Sequence, residues 1–400
     1  MAMPNKLKHI LFSTVILSLT ACGGGSTKKE PDPIIPVKPV VFDYQATIDN
    51  AITDILPGII LLVEKPGFKF LGSAGLADIE TQTPMETYHV MPNGSAGKKI
   101  TALLTVMLDE EGLLSLDDTI DNWLSDEILA QIANSEKMTI RQLLNHTSGI
   151  HDYLDEPTDD DFIHALLTDT ETLKTDSYVL PFGLNQPASF LPGEGFSYSN
   201  TGYLLVGLIL DEVLGEHHSS AIRNRILEPF GMNSTIYNGV ENEKSQGEMI
   251  SGYFNDDEDG VINTKPLYEN IGVADAPLRS SVEDITLLLK NIVGQDGDVS
   301  EYVKEQLFGE SHLVDADGDY LAGIDENSSA GLGLFKNIAN NKVVYHHDGL
   351  EFGYSTKNIY IADNQTSITI FFNCGGEDRC DIAAEALTTT ILLNELLNSL

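Results

Sequence analysis

Strand-forming sequence is gathered at the two ends of this chain, and about two hundred residues of mostly helical sequence separate the two sets. On the N-terminal side, "GIILLVE" (58–64), the turn "KPG" and "FKFLGSAGL" (68–76) predict a hairpin. Strand patterns return only in "GLGLF" (331–335), "KVVYHH" (342–347), "KNIYIA" (357–362) and "SITIFFN" (367–373). A strand must pair its backbone polar groups, so the economical solution is one sheet completed by sequence-distant pieces, with the middle inserted as a helical lobe over roughly residues 113–290. Helical spacing in "YQATIDNAITDIL" (44–56), with Ile48, Ile52 and Ile55 on one stripe, and over about 381–397 adds a helix at each end. The predicted class is α+β: an antiparallel sheet flanked by N- and C-terminal helices plus the inserted lobe. Within the lobe "TIRQLL" (139–144), "TGYLLVGLILDEVLG" (201–215) and "SSVEDITLLLKNIVG" (280–294) read as helices, the last two stopped by Gly215 and Gly294.

The first forty residues follow different rules. Lys6 and Lys8 precede an apolar run from Ile10 to Leu19, too short to span a bilayer, that ends in "LTAC". This resembles the signal of a bacterial lipoprotein, which implies a signal peptide over 1–21 and lipidation of Cys22. Residues 22–41, rich in Gly, Ser and Pro, suit an extended tether to a folded domain over 42–400. The expected location is the bacterial cell envelope, anchored by lipid and, from Gly23 after the cysteine, facing the periplasm from the outer membrane. An oxidising compartment favours a disulfide between the other two cysteines, Cys374 and Cys380 of "NCGGEDRC", over free thiols. With 61 acidic against 23 basic side chains, the formal charge of −38 disfavours nucleic acid and anionic surfaces as partners.

One segment raises a question of chemistry. "MPNGSAGKKITALL" (91–104) places Ser95 at the start of a predicted helix, running to about Glu111 and stopped by Gly112, with Lys98 one turn along the same face. A serine there can be an ordinary N-cap. Three further segments change the balance: "TIRQLLNHTSGI" (139–150), "LPGEGFSYSNTGYLLVGLIL" (191–210) and "HHDGLEFGY" (346–354).

In that order, these segments resemble the serine β-lactamases and penicillin-binding proteins, in the branch of class C β-lactamases, D-alanyl-D-alanine carboxypeptidases, D-aminopeptidases and related esterases. The family's serine-lysine motif falls on Ser95 and Lys98, its tyrosine-x-asparagine motif on Tyr198 and Asn200, and its third motif on His347 and Gly349. The resemblance implies a serine hydrolase that works through an acyl-enzyme on Ser95. Lys98 or Tyr198 takes the proton, Asn200 bonds Lys98 and the substrate amide, and the amides of Ser95 and Leu350 form the oxyanion hole. It implies no cofactor and no metal, and as substrates small molecules or short peptides, peptidoglycan fragments among them. "YFN" (253–255) fits the second motif equally, and only the flanking "PGEGFSYSNTGY" selects Tyr198.

Other residues have plainer readings. Lys99 is expected to point into solvent, His146 to be a scaffold histidine, His217 and His218 to mark a helix end, and Arg279 to be a surface arginine. His346 and His347, as strand neighbours, are expected to face opposite sides. An α/β-hydrolase elbow fails because position 93 is Asn. "DADGDYLAGIDE" (315–326) and "NDDEDG" (255–260) partly match calcium loops, and solvated loops are the expected state of both. Two departures bear on substrate: His347 stands where β-lactamases carry lysine, and Asp348 where relatives often carry Thr or Ser that helps bind a carboxylate. Asp275 is a further irregularity beside the expected cleft. An esterase or D-aminopeptidase is the alternative enzyme, and a non-catalytic binder of wall fragments the alternative of another class. Binding alone does not require Ser95, Lys98 and Tyr198 together.

Overall fold

The computed structural model describes residues 42–241, 247–256, 260–316 and 328–397. The signal, Cys22 and tether, and parts of both acidic loops, lie outside the described residues. The main sheet has ten strands: β1 (Gly58–Lys65), β2 (Phe68–Asp78), β3 (Thr83–Pro84), β4 (Val314–Asp315), β5 (Ser328–Ala330), β6 (Phe335–Ala339), β7 (Lys342–His346), β8 (Gly349–Glu351), β9 (Tyr354–Ile361) and β10 (Thr366–Phe372). Their order is β4-β5-β6-β7-β9-β10-β1-β2-β3, with β8 folded onto β9. β1 is antiparallel to both neighbours, Ile59 lying opposite Phe372 of β10 and Ala74 of β2. The two ends of the chain therefore complete one sheet, as the strand distribution requires.

The apolar run of β1 is explained by burial on both faces. Ile59, Leu61 and Val63 join Tyr44 and Ile48 of α1 (Tyr44–Ala51) in one core cluster. Ile60 and Leu62 join the other, with Leu103 and Leu104 of α2 (Lys98–Glu110). Each such side chain contributes about 1.5–3 kcal/mol on burial, which fixes the register of the central strand. The lobe adds α3 (Ile140–Leu144), opened by a capping box between Thr139 and Gln142, and α4 (Asp176–Gly183). It also carries α5 (Asn200–Leu214), closed by Gly215 at φ 68, where a side chain would be strained. α6 (Val282–Val293) is capped by the Ser281 side chain, and the C-terminal α7 (Asp378–Leu397) returns to the α1 side of the sheet, adding Leu387, Ile391 and Leu392 to that cluster.

Several boundaries differ from the sequence expectation. α1 stops at Ala51 because Ile52 leaves the helix in extended backbone. "GLGLF" contributes only Phe335 to a strand: Gly333 has φ +71, and a Cβ there would meet Ala102 Cβ at 2.7 Å and Lys98 O at 2.9 Å. Gly333 lets the chain pass over α2. The helix expected from Ser95 opens as a 3-10 turn, Gly94–Gly97, and becomes α-helical at Lys98. The lobe is less purely helical than predicted, since Leu278–Ser281 pairs with Val90–Pro92 and Ile236–Tyr237.

Cys374 and Cys380 form a disulfide that ties the chain just beyond β10 to the first turn of α7. So short a closure limits the unfolded chain by about 2 kcal/mol. The double variant Cys374→Ala/Cys380→Ala is expected to lose that amount in urea unfolding, and an unchanged midpoint would contradict this role.

Candidate active site

The Ser95 turn is shaped by contact with β8. A Cβ on Gly349 would lie 1.9 Å from Asn93 O, so only glycine allows this crossing. Gly94, at φ +53, sits where its Cβ would be 3.1 Å from Leu350 N, which places that amide beside the turn carrying Ser95. Ser95 has no N-cap role, the preceding cap position being Asn93.

Lys98 is wholly buried and gives Nζ three acceptors: Ser95 Oγ at 3.0 Å, Asn200 Oδ1 at 2.6 Å and Asp275 O at 2.8 Å. Two of these are carbonyl oxygens, which can only accept. A neutral amine that satisfies both keeps its lone pair for the serine hydroxyl. Each carbonyl is held in turn. Asn200 Nδ2 donates to Asp152 Oδ2 at 2.8 Å, and that bond fixes Oδ1 toward Lys98. The turn carrying Asp275 is held by Ala274 N donating to Asp176 Oδ1 at 2.7 Å and Thr101 Oγ1 donating to Ala274 O at 2.8 Å. The Asp275 carboxylate accepts from the Tyr153 hydroxyl at 3.0 Å, so the irregular residue has a structural place below the cleft.

Burial pushes Lys98 below its ordinary pKa, against the opposing pull of Asp275, Asp152 and Glu351. Desolvation raises Asp152 to about 6 and Glu351 to about 7. Tyr198 sits with its ring centroid 5.2 Å from Lys98 Nζ. Its hydroxyl is buried without a full hydrogen bond, and burial raises its pKa well above 10, opposed by nearby Ser95. The phenol is therefore protonated in the resting site. His146 stacks on Tyr198 at 4.2 Å and accepts from Ser199 N through Nδ1 at 3.1 Å. Burial, reinforced by Lys98, lowers it to about 3, so it is a neutral support for the tyrosine.

A cleft of about 770 Å³ opens on this group and is lined by Ser95, Tyr198, Asn200, His347, Gly349 and Leu350, all sequence-predicted site residues. Lys98 lies beneath it. Asn200 Oδ1 bonds Lys98 as expected, and one hydrogen of its amide nitrogen also serves Asp152.

Other expectations are corrected. Lys99 is not exposed but fully buried, because α2 is enclosed on every side from Lys98 to Val106; Nζ donates to His347 O at 3.3 Å, and burial lowers its pKa to about 7. His346 and His347 do not take opposite faces: β7 ends at His346, alternation stops, and both rings line the cleft against Phe335, at 5.6 and 5.2 Å. Arg279 is not a surface residue; it is half-buried, with Nε unpartnered and Nη1 at 3.2 Å from Met249 Sδ. Tyr253 of the rejected "YFN" donates instead to Glu80 at 2.7 Å. His217 and His218 do fall between α5 and the next helix. With Asp211 they are the one group, among the described residues, whose ligand atoms lie within 4.8 Å of one another. His218 already uses both nitrogens, on Asp211 and Tyr237, and His217 Nδ1 lies 2.9 Å from Ser219 Oγ. Residues absent from the sequence reading are Asp152, Phe335, Lys357 and the α7 carboxylates Asp381 and Glu385.

The chain resembles known proteins over most of its length. The family model described as Beta-lactamase matches residues 47–390. Penicillin-binding protein 4* of Bacillus subtilis (strain 168) is 27% identical over 327 residues, 79% of this chain and 68% of that protein. Protein flp of Staphylococcus aureus (strain NCTC 8325 / PS 47) is 28% identical over 257 residues, 62% of this chain, which spans only about half, 49%, of flp. Among solved structures, the octameric penicillin-binding protein homologue from Pyrococcus abyssi superposes with TM-score 0.71 at 27% identity, covering 86% of this chain and 75% of that one. The D-stereospecific amidohydrolase from Streptomyces sp. gives TM-score 0.71 at 24% identity, over 85% and 97%, a likeness of fold.

Asp152 above its pKa of about 6 holds Asn200 and, by its charge, raises the pKa of Lys98. Asp152→Ala is therefore expected to lower kcat at least about tenfold and to move the pH–rate limb that titrates Lys98 to lower pH. A profile measured from pH 6 to 10 with an unmoved limb would contradict the linkage.

Proposed function

This chain belongs to the Beta-lactamase family of serine hydrolases, and from that premise we propose that it cleaves amide, peptide or ester bonds by acyl transfer through Ser95. The observation that carries the reading is the Lys98 arrangement: two N–H bonds fixed on carbonyls, and the third position at Ser95 Oγ. Lys98, with its depressed pKa, takes the serine proton as Oγ attacks the carbonyl carbon. The amides of Ser95 and Leu350 receive the developing negative charge. Tyr198, protonated and lacking a full hydrogen bond, passes a proton to the departing group and regains it through Lys98. In the second half-reaction the same groups activate water and release Ser95.

Small amides and peptides are the substrate class, in keeping with relatives named as penicillin-binding proteins and a D-stereospecific amidohydrolase. D-alanyl-D-alanine-type peptides suit a cell-envelope enzyme held by lipid on Cys22, the location we propose from the N-terminal sequence. A second reading, an esterase or D-aminopeptidase, is favoured by His347 and Asp348 in the third motif.

The test is to incubate the chain with a penicillin, a D-Ala-D-Ala peptide and a small aryl ester, following turnover and intact mass. Acylation on Ser95 by at least one, abolished in Ser95→Ala, is the expected outcome. No adduct and no turnover with any of them would favour a binding module and contradict the proposal.

A further inference from the structure

We propose that the cleft selects substrates whose leaving group presents a hydrogen-bond donor or a positive charge (an amine, an ammonium or a primary amide) and turns away a carboxylate, with His347, Asp381 and Glu385 as the specificity-determining residues. This rests on the acyl-transfer reading above and, within it, favours the esterase or D-aminopeptidase reading, because the D-alanine released from a D-alanyl-D-alanine peptide carries a carboxylate.

His347 supplies the first observation. Its Nδ1 lies 2.8 Å from the carbonyl oxygen of Asp348, which can only accept, so Nδ1 carries the hydrogen. Burial, with Lys99 and Lys98 nearby, holds the ring neutral, well below its ordinary pKa. Nε2 is then a bare lone pair. The residue is 3% exposed and lines the cleft, and Nε2 has no partner. A buried acceptor left unpaired is costly, and a donor from the substrate would satisfy it. The His347 ring stands 6.2 Å from that of Tyr198, the proton carrier to the departing group, which places this acceptor on the leaving-group side.

The charges of the cleft supply the second. Lys357 is the lining cation among the described residues, and it is spent: Nζ lies 2.9 Å from Asp348 Oδ2 and 2.9 Å from Glu385 Oε2. Asp348, which burial alone would push up, is held below its usual pKa by this contact. Asp381 and Glu385, one turn apart on α7, add two further carboxylates to the same wall. Burial raises Asp381 to about 6, so it is ionised at neutral pH. One cation thus faces three carboxylates. Lys98 and Lys99 are buried and bonded, and Arg279 does not line the cleft. Among the described residues no lining cation is left to pair a substrate carboxylate, whereas an ammonium meets attraction and a ready acceptor.

Three N-acetyl-D-alanine amides that differ only in the leaving amine test this: glycine, methylamine and ethylenediamine, giving a carboxylate, a neutral and an ammonium member. The full chain is expected to show kcat/KM at least about tenfold higher for the ammonium than for the carboxylate member. Asp381→Asn/Glu385→Gln should reduce that ratio severalfold, and His347→Lys should raise kcat/KM for the carboxylate member. Equal rates, a faster carboxylate member, or a ratio unmoved in the α7 double variant would overturn the proposal. If none of the three turns over and an aryl ester leaves no adduct on Ser95, the acyl-transfer reading fails and takes this one with it. Turnover through Ser95 with the carboxylate preferred removes this inference alone.

Discussion

A lysine amine taken wholly out of water is the constraint on which this site depends. Lys98 is buried, and an ammonium there is tolerated only while each of its hydrogens meets an acceptor. The fold supplies two acceptors that cannot be anything else, Asn200 Oδ1 and Asp275 O, and leaves the third place to a hydroxyl that can either donate or accept. That asymmetry turns a structural requirement into a proton path.

The rest of the architecture keeps those partners in place. Strands from both ends of the chain close the sheet, bringing β8 and its Gly349 crossing over the Ser95 turn. The lobe contributes Tyr198 and, at the start of α5, Asn200, which approach from the other side, and Asp152 locks the orientation of Asn200. His146 supports the tyrosine from behind as a neutral ring. α7, tied by its disulfide to the end of β10, completes the cleft with carboxylates. Three separate parts of the chain thus meet on one pocket.

Much of this was legible in the order of residues. The division of strands predicted a sheet closed by distant pieces, and the i, i+3 spacing of Ser95 and Lys98 predicted their shared face. Tyr198 was picked out from the competing Tyr253 by its flanking sequence alone. What the order of residues hides, it hides for physical reasons. Asp152 is one acid among 61, and nothing local reveals that it is buried and paired. Lys99 defies the periodicity because that pattern assumes a solvent face, which α2 lacks from Lys98 to Val106. The pair His346 and His347 was misread because strand alternation ends with the strand. Asp381 and Glu385 look like ordinary polar positions of an outer helix until the tertiary fold sets that helix against the cleft.

The most direct measurement of the central claim is the protonation of Lys98 itself, followed by NMR in protein labelled at the lysine ε-carbons and assigned with Lys98→Arg. The account predicts that this one signal titrates clearly below 10.5, the ordinary lysine value. A Lys98 that stays protonated up to or beyond that pH in the folded enzyme would contradict it.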